Sequence, residues 1–369
     1  MLPAAKRGTP PEQREPRMTV RIRPDLDQLP AYVAGRTVAG SLKLASNEVS
    51  AGPLPGVAEA VACAAADAHR YPDIGAARLT EALAAHLDVD LGRIAVGCGS
   101  VALCEQLIQI TCTAEDTVVY PWRSFEAYPI LSRIVGATEV QVPLTAEHAV
   151  DLDAMAAAIT PRTRLVFVCS PNNPTGPALR RAELERFLDS VPSDVLVVFD
   201  EAYREFVTDP DVPDGVELTA RYDNVLALRT FSKAYGLAGL RVGYAIGPAH
   251  VAEALRKVCI PFSINALGQA AAIASLAAQD EMRARCAAIT AERVRVRDEL
   301  IALGHAVPET QANFVWLPLG DRAGEFNEHC LAERVVVRAF AGSGARITIG
   351  DAAENDLLLG AAKSFPLHG

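Results

Sequence analysis

The chain has 369 residues, half of them hydrophobic and 22% charged, an ordinary composition for a globular protein with room for two domains. Its formal net charge of -10 argues against a nucleic-acid-binding surface. No apolar run reaches the roughly 18–20 residues that span a membrane, and no apolar leader core lies near the N-terminus.

The eight cysteines form no C-x-x-C pair and have no histidine at zinc-ligand spacing. They read as small buried residues in a reducing cytoplasm. Residues 1–17, rich in proline and charge, are expected to be a disordered extension, with Met18 as an alternative start. Residues 18–45 are predicted to form an N-terminal arm, 46–247 a large domain and 248–369 a smaller one.

In chain order, Arg78 to Leu87 is rich in alanine and leucine and reads as a helix. RIAVG (93–97) reads as a strand, and Ser100 as the N-cap of a helix through VALCEQLIQITC. TVVYP (117–121) is a second strand, followed by the aromatic loop WRSFEAY. A helix starts at Asp151. RLVFVCS (164–170) leads into the turn PNNPTG, and Ala178 to Leu188 is helical. DVLVVFD (194–200), NVLALR (224–229) and RVGYAIG (241–247) complete the series. Runs apolar at consecutive positions suit strands buried on both faces. Their alternation with helices predicts an α/β large domain with a mostly parallel sheet flanked by helices. After Gly247 a long helical region, 249–303, leads to ANFVWLPL (312–319), VVVRAF (335–340) and ARITIG (345–350), the pattern of a smaller α+β C-terminal domain.

Ligands of open α/β sheets gather at the carboxyl ends of the strands. There this sequence places a turn and helix start (Gly99, Ser100), an aromatic loop, an asparagine turn, Asp200-Glu201-Ala202-Tyr203 and Thr230-Phe231-Ser232-Lys233. Each feature has a plain structural explanation, since a strand-terminal aspartate is commonly a helix cap and a lysine commonly a surface residue. Their convergence on one sheet edge is harder to explain by packing alone. The chain lacks the third glycine of a dinucleotide fingerprint, a phosphate-loop G-x-x-x-x-G-K-[ST] and a G-x-S-x-G elbow. Its histidines, His69, His86 and His148 among them, show no metal spacing. The collected groups suit pyridoxal 5'-phosphate, which needs an amine for its aldehyde, a carboxylate for its ring nitrogen, a flat ring to stack on and amides, hydroxyls and an arginine for its phosphate.

S-K-x-x-x-L-x-G-x-R, D-E-A-Y and N-N-P-T-G together resemble the fold type I pyridoxal-phosphate aminotransferases, in their histidinol-phosphate aminotransferase branch. KLASNEVSAGPLP (43–55), HRYPD (69–73), VGCGSVALCEQL (96–107) and TFSKAYGLAGLRVGYAIG (230–247) are most similar to its actinobacterial aromatic amino acid (phenylalanine) aminotransferases. The resemblance implies that Lys233 is the lysine that bonds the cofactor aldehyde and moves the substrate proton. It implies that Asp200 pairs with the ring nitrogen and that Tyr203 and Asn173 bond the ring hydroxyl oxygen. Gly99, Ser100, Val101, Thr230, Ser232 and Arg241 correspond to the phosphate site, and Phe125 to the stacking ring. Tyr71 corresponds to a tyrosine that reaches the neighbouring subunit's cofactor, which implies a homodimer. Arg346 corresponds to the arginine that grips the substrate carboxylate. Asn173, Asn47 and Arg338 are further substrate-binding candidates, and Val49, Ser50 and Ala51 a less polar wall for a substrate ring.

The implied reaction is ping-pong transamination between an aromatic L-amino acid and 2-oxoglutarate. Histidinol phosphate is the alternative donor, because Arg338 lies near the position of an arginine that holds that substrate's phosphate. A decarboxylase is disfavoured by Arg346, which would grip the departing carboxylate. A ligand-sensing regulator lacks a second module, and a nicotinamide dehydrogenase lacks its glycine fingerprint.

Overall fold

Strands that are apolar at every position can only be stable with both faces covered, and they occupy the middle of the large sheet here. The structure is a computed structural model describing residues 20–29 and 35–366, so the expected tail (1–17), the alternative start at Met18 and part of the predicted arm lie outside the described residues. Residues 20–29 belong to a separate short unit and contain a 3-10 turn, Pro24–Gln28. The strands of the main unit are β1 (Leu42–Lys43), β2 (Ile94–Gly97), β3 (Thr117–Trp122), β4 (Thr138–Pro143), β5 (Thr163–Cys169), β6 (Leu196–Asp200), β7 (Val225–Thr230), β8 (Gly243–Ile246), β9 (Phe314–Gly320), β10 (Val335–Val336), β11 (Arg338–Phe340) and β12 (Ser343–Thr348). The helices are α1 (Val57–Ala65), α2 (Ala77–Leu87), α3 (Gly99–Thr111), α4 (Ala127–Val135), α5 (Leu152–Ala158), α6 (Arg181–Ser190), α7 (Gly215–Arg221), α8 (Ala249–Val258), α9 (Ala266–Ala277), α10 (Gln279–Ala302), α11 (Ala323–Ala332) and α12 (Ala352–Ser364).

The seven-stranded sheet has the order β2-β8-β7-β6-β5-β3-β4. β8 runs antiparallel to both of its neighbours, and the other pairings are parallel. β6 and β7 are buried at every residue. The register brings the functional strand ends to one edge: Cys169 lies opposite Asp200, Thr230 opposite Gly243, and Gly97 opposite Gly243. A three-stranded antiparallel sheet, β11-β12-β9, forms the smaller C-terminal part, as expected. β1 pairs with β10, tying residues 42–43 to that part.

Several local expectations change. α3 opens at Gly99 with Cys98 in the cap position, so Ser100 lies in the first turn and caps nothing. Gly99 takes φ +74, which swings the chain into the helix one residue earlier than the serine signal indicates. The region 249–303 is three helices, because Asn265 accepts a hydrogen bond from Gly268 N and starts α9 afresh. The second half of the aromatic loop is helical, since α4 begins at Ala127. β4 was not predicted: it is an edge strand, TEVQVP, whose apolar positions are interrupted by exposed polar ones. Asp151 caps α5 as read, accepting from Ala154 N. Cys63 is exposed, unlike the buried thiols expected, whereas Cys104, Cys112, Cys169, Cys286 and Cys330 are buried.

Candidate active site

The edge where β5, β6 and β7 end opens into a cavity of about 270 Å³. Of the candidate site residues, Gly99, Asn47, Tyr71 and the expected wall of Val49, Ser50 and Ala51 do not line this cavity, and the others do.

Lys233 follows β7, and its Nζ donates to Ser46 O at 3.0 Å. Burial, and then the Arg346 guanidinium, lower its amine to about 7. An amine of that kind is about half neutral near neutral pH, against a negligible fraction for an ordinary lysine, and its neutral form is nucleophilic. Asp200 ends β6 and is 4% exposed. Burial raises its carboxyl to about 6, against the opposing effect of Tyr128, whose hydroxyl donates to Oδ2 at 2.6 Å. Oδ1 of Asp200 has no hydrogen-bond partner. A buried carboxylate oxygen left in that state is costly, and a bound cationic or N–H group would relieve it.

Tyr203 is buried, with its ring edge-on to Phe314 at 5.1 Å and its hydroxyl pushed up by burial. Its hydroxyl accepts from Asn47 Nδ2 at 2.9 Å. Asn47 is wholly buried behind it, in the left-handed conformation at φ 54, and exchanges hydrogen bonds with Thr348. The structure therefore sets Asn47 against Tyr203, outside the cavity where a substrate contact was expected. Because that bond uses the tyrosine oxygen as acceptor, the phenolic proton remains available to a second group.

At the opposite end, Ser100 and Val101 stand in the first turn of α3. Arg241 follows a short 3-10 turn at φ +57, a conformation uncommon for a side chain of this size. Its guanidinium donates to Ser232 Oγ at 3.1 Å and to Ala238 O at 2.9 Å. Thr230 Oγ1 accepts from Ser232 N at 3.1 Å and so fixes the turn before Lys233. A Cβ on Gly99 would fall 2.2 Å from Arg241 Nη2, and one on Gly243 2.3 Å from Ser100 N. Glycine at both positions lets β8, the helix N-terminus and the arginine close on one another. The backbone amides of a helix start, which have no partner within the helix, suit an anion when an arginine stands beside them.

Arg346 projects from β12 and donates to Asn173 Oδ1 and to Ala45 O, the latter at 2.8 Å. Its guanidinium lies 5.6 Å from the Phe314 ring centre and 5.8 Å from that of Phe340. Asn173 accepts through its oxygen, which leaves its amide nitrogen to donate into the site. Arg338 stands opposite Arg346 in the β11–β12 register and is bonded to Glu126 at 2.8 Å. Phe125 lines the cavity with its ring edge-on to Tyr128 at 5.5 Å. Tyr71 lies elsewhere, 82% exposed and stacked on Phe262 at 4.5 Å.

Val49, Ser50 and Ala51 do not line the cavity; Ser50 instead bonds to Glu354. Its apolar lining includes Phe125, Ala202, Ala238 and Phe340. Sequence reasoning missed Phe340, Glu126 and the hydroxyl of Tyr128. Phe340 carried a usable signal, being two residues after Arg338 and so on the same face of a strand. The other two carried none.

Residues 39–361 match the family described as aminotransferase class I and II. The chain is 58% identical over 347 residues to an aromatic amino acid aminotransferase of Rhodococcus jostii (strain RHA1), covering 94% of this chain and 96% of that protein. It is 55% identical over 349 residues to one of Streptomyces coelicolor, covering 94% and 97%. Among solved structures it is similar to histidinol-phosphate aminotransferase from Sinorhizobium meliloti in complex with pyridoxal-5'-phosphate, with a TM-score of 0.85 at 30% identity over 94% of this chain and 98% of that one. A cavity with a lowered lysine amine, a half-satisfied carboxylate and an arginine-backed helix start is thus set in a sequence matched over nearly its whole length, and the chain belongs to the class I and II aminotransferase family.

Proposed function

We propose that the protein transfers the amino group of aromatic L-amino acids to 2-oxoglutarate with pyridoxal 5'-phosphate, yielding aromatic oxo acids and L-glutamate. The observation that carries the reading is the unpartnered buried Oδ1 of Asp200, on a residue lining the same cavity as the lowered Lys233 amine. A protonated pyridine nitrogen is the donor that this oxygen lacks, and the Gly99–Arg241 cradle suits the phosphate at the other end.

When bound, pyridoxal phosphate supplies an electron sink for the bonds at the substrate Cα. Lys233 would hold the aldehyde end, and its amine, once freed by substrate, would take the proton from the substrate Cα and give it back at the cofactor's aldehyde carbon. Asp200 would hold the proton on the ring nitrogen. Tyr203 would donate its free phenolic proton, and Asn173 its amide proton, to the ring hydroxyl oxygen. Phe125 would cover the ring. The amides of Gly99, Ser100 and Val101 would hold the phosphate together with Thr230, Ser232 and Arg241. Arg346, oriented by Asn173 and Ala45, grips the α-carboxylate with its two-pronged fork. Tyr71, exposed outside the cavity, reaches the phosphate in a second copy, so the working form is a homodimer.

Relatives 54–58% identical are named aromatic amino acid aminotransferase, whereas the histidinol-phosphate aminotransferase structure is 30% identical, which favours aromatic donors. The eight unpaired cysteines suit a cytoplasmic location. We place the division between a large and a small domain inside α10, later than the boundary at Gly247 read from the sequence, a reading supported by how the buried residues group. Ala271, Met282 and Cys286 share a core with Phe231 and Tyr244, whereas Val296 and Leu300 pack with Phe326 and Leu358. The deciding experiment compares kcat/KM for phenylalanine, tyrosine and histidinol phosphate, each with 2-oxoglutarate. Phenylalanine or tyrosine should lead, and a clear preference for histidinol phosphate would overturn the assignment.

A further inference from the structure

In the function proposed above, on which this inference rests, Tyr203 must donate its proton to the cofactor's ring oxygen. Nothing in tyrosine itself makes that choice, because a phenolic hydroxyl rotates and both donates and accepts. The choice is made behind it, by two buried side chains that do not line the cavity.

Asn47 and Thr348 are linked in a fixed direction. The backbone N–H of Asn47 donates to Thr348 Oγ1 at 2.9 Å, and a backbone N–H is only ever a donor. The threonine hydroxyl sends its single proton to Asn47 Oδ1 at 3.2 Å. In a carboxamide only the oxygen accepts, so Thr348 holds that oxygen on its own side and turns the amide nitrogen towards Tyr203. Nδ2 then donates to the tyrosine oxygen at 2.9 Å. That oxygen is engaged as an acceptor, and the phenolic proton is left for the cavity that Tyr203 lines.

The surroundings hold this direction. Thr348 ends β12 and is 2% exposed, and Asn47 is wholly buried, so bulk water does not reach the groups that a turned amide would leave unpaired. Thr348 N donates to Leu44 O at 2.9 Å and Asn313 Nδ2 to Asn47 O at 3.2 Å, which fastens residues 44–47 in place. Asn47 stands at φ 54, a region that asparagine enters more readily than most residues. Burial pushes the Tyr203 phenol up, and Arg346 and then the bond from Asn47 oppose it, as a bond donated to the tyrosine oxygen must.

We propose that Thr348 and Asn47 form a one-way hydrogen-bond relay that positions the phenolic proton of Tyr203, so that the tyrosine always donates into the cavity. Asn47 is thus a positioning residue that acts through Tyr203, and not a substrate contact. The relay sets an orientation; no covalent bond changes and no proton is transferred along it.

The readout is the pH midpoint of the bound cofactor's absorbance. A proton donated to the ring oxygen stabilises its negative charge and loosens its hold on a proton shared with the neighbouring nitrogen, so the relay keeps the midpoint low. Thr348→Val keeps the shape but removes the hydroxyl, which frees the amide to turn its oxygen towards Tyr203. It should raise the midpoint by about half a pH unit or more, and Thr348→Ser should leave it in place. Combined with Tyr203→Phe, Thr348→Val should add nothing. No rise in Thr348→Val, or an equal rise with and without Tyr203→Phe, overturns the relay. A neutron map of the full-length apoprotein reads the same orientation without cofactor or substitution. It should place the Asn47 amide deuterons towards Tyr203 and the phenolic deuteron towards the cavity, and a phenolic deuteron on Asn47 Oδ1 overturns the relay. Should the apoprotein fail to take up pyridoxal phosphate, the proposed function falls, while the neutron map still decides the relay.

Discussion

The hydroxyl of Tyr128 donates to Oδ2 of Asp200 at 2.6 Å, across 72 positions of sequence, and leaves Oδ1 of the same carboxylate without a partner. One oxygen is anchored by the protein and the other is open to a donor from a bound molecule. The bond also opposes the upward push of burial on Asp200. A hydrogen bond to a charged group contributes about 1.5–3 kcal/mol, equivalent to one to two pH units. Tyr128→Phe should therefore raise the Asp200 carboxyl further. Because Asp200 must be ionised to hold the ring proton, the acidic limb of kcat/KM should move to higher pH, as should the pH titration of the bound cofactor's absorbance. An unmoved limb would mean that Tyr128 only fills space.

Lys233→Ala should abolish turnover while leaving pyridoxal phosphate able to bind non-covalently, seen as absorbance that dialysis slowly removes. Asp200→Ala should lower kcat by orders of magnitude, since an unprotonated pyridine is a poor electron sink. A near-normal rate in either variant, measured with phenylalanine and 2-oxoglutarate, would show that the wrong amine or carboxylate had been chosen.

Two buried groups give the cofactor-free protein a defined pH dependence. Lys233 titrates near 7 when folded, against an ordinary 10.5. Between those values the unfolded chain binds a proton that the native one does not, so stability should rise with pH through that window. Asp200 sits at about 6 against 3.8, and in that lower window the native state holds the extra proton, so stability should fall as pH rises. Urea unfolding of apoprotein should show that Lys233→Met flattens the upper window and Asp200→Asn the lower one.

Gly99→Ala places a Cβ 2.2 Å from Arg241 Nη2 and forces an alanine to φ +74. The left-handed conformation alone costs about 1–2 kcal/mol, and the arginine has to leave its place at the phosphate end. Titration of apoprotein with pyridoxal phosphate should show affinity reduced at least tenfold. Unchanged affinity would remove Arg241 from the phosphate site.

Arg229 is the last residue of the run NVLALR, directly before the segment that carries Lys233, yet it does not line the cavity. It is 6% exposed and bonds Glu201 at 2.9 and 3.0 Å and Asp214 at 2.6 Å. Removing one partner of a buried ion pair destabilises by about 3–5 kcal/mol. Arg229→Met should lower the urea midpoint accordingly, and a loss below about 1 kcal/mol would show that the pair is dispensable.

The inner strands and the chemistry at their ends were legible in the sequence. A strand buried on both faces must be apolar at consecutive positions, and ligand groups follow immediately where the run stops; Asp200 and Lys233 are both of this kind. The edge strand β4 was not legible, because half exposure interrupts the apolar run with polar residues. Serine is a good cap, which made Ser100 the expected start, but the positive φ of Gly99 starts the helix one residue earlier.

What the tertiary structure alone decided is who faces whom. Tyr128 reaches Asp200 across 72 positions, Asn47 reaches Tyr203 across 156, and Glu126 reaches Arg338 across 212. Periodicity reports whether a position is covered, and it carries no information on the partner that covers it. The sequence determined that a lysine, a carboxylate and an anion cradle would meet at one sheet edge. Folding determined which oxygen of that carboxylate is anchored, that the phenolic proton of Tyr203 is left free and which charge shields Arg338, because each depends on a side chain delivered by a different element.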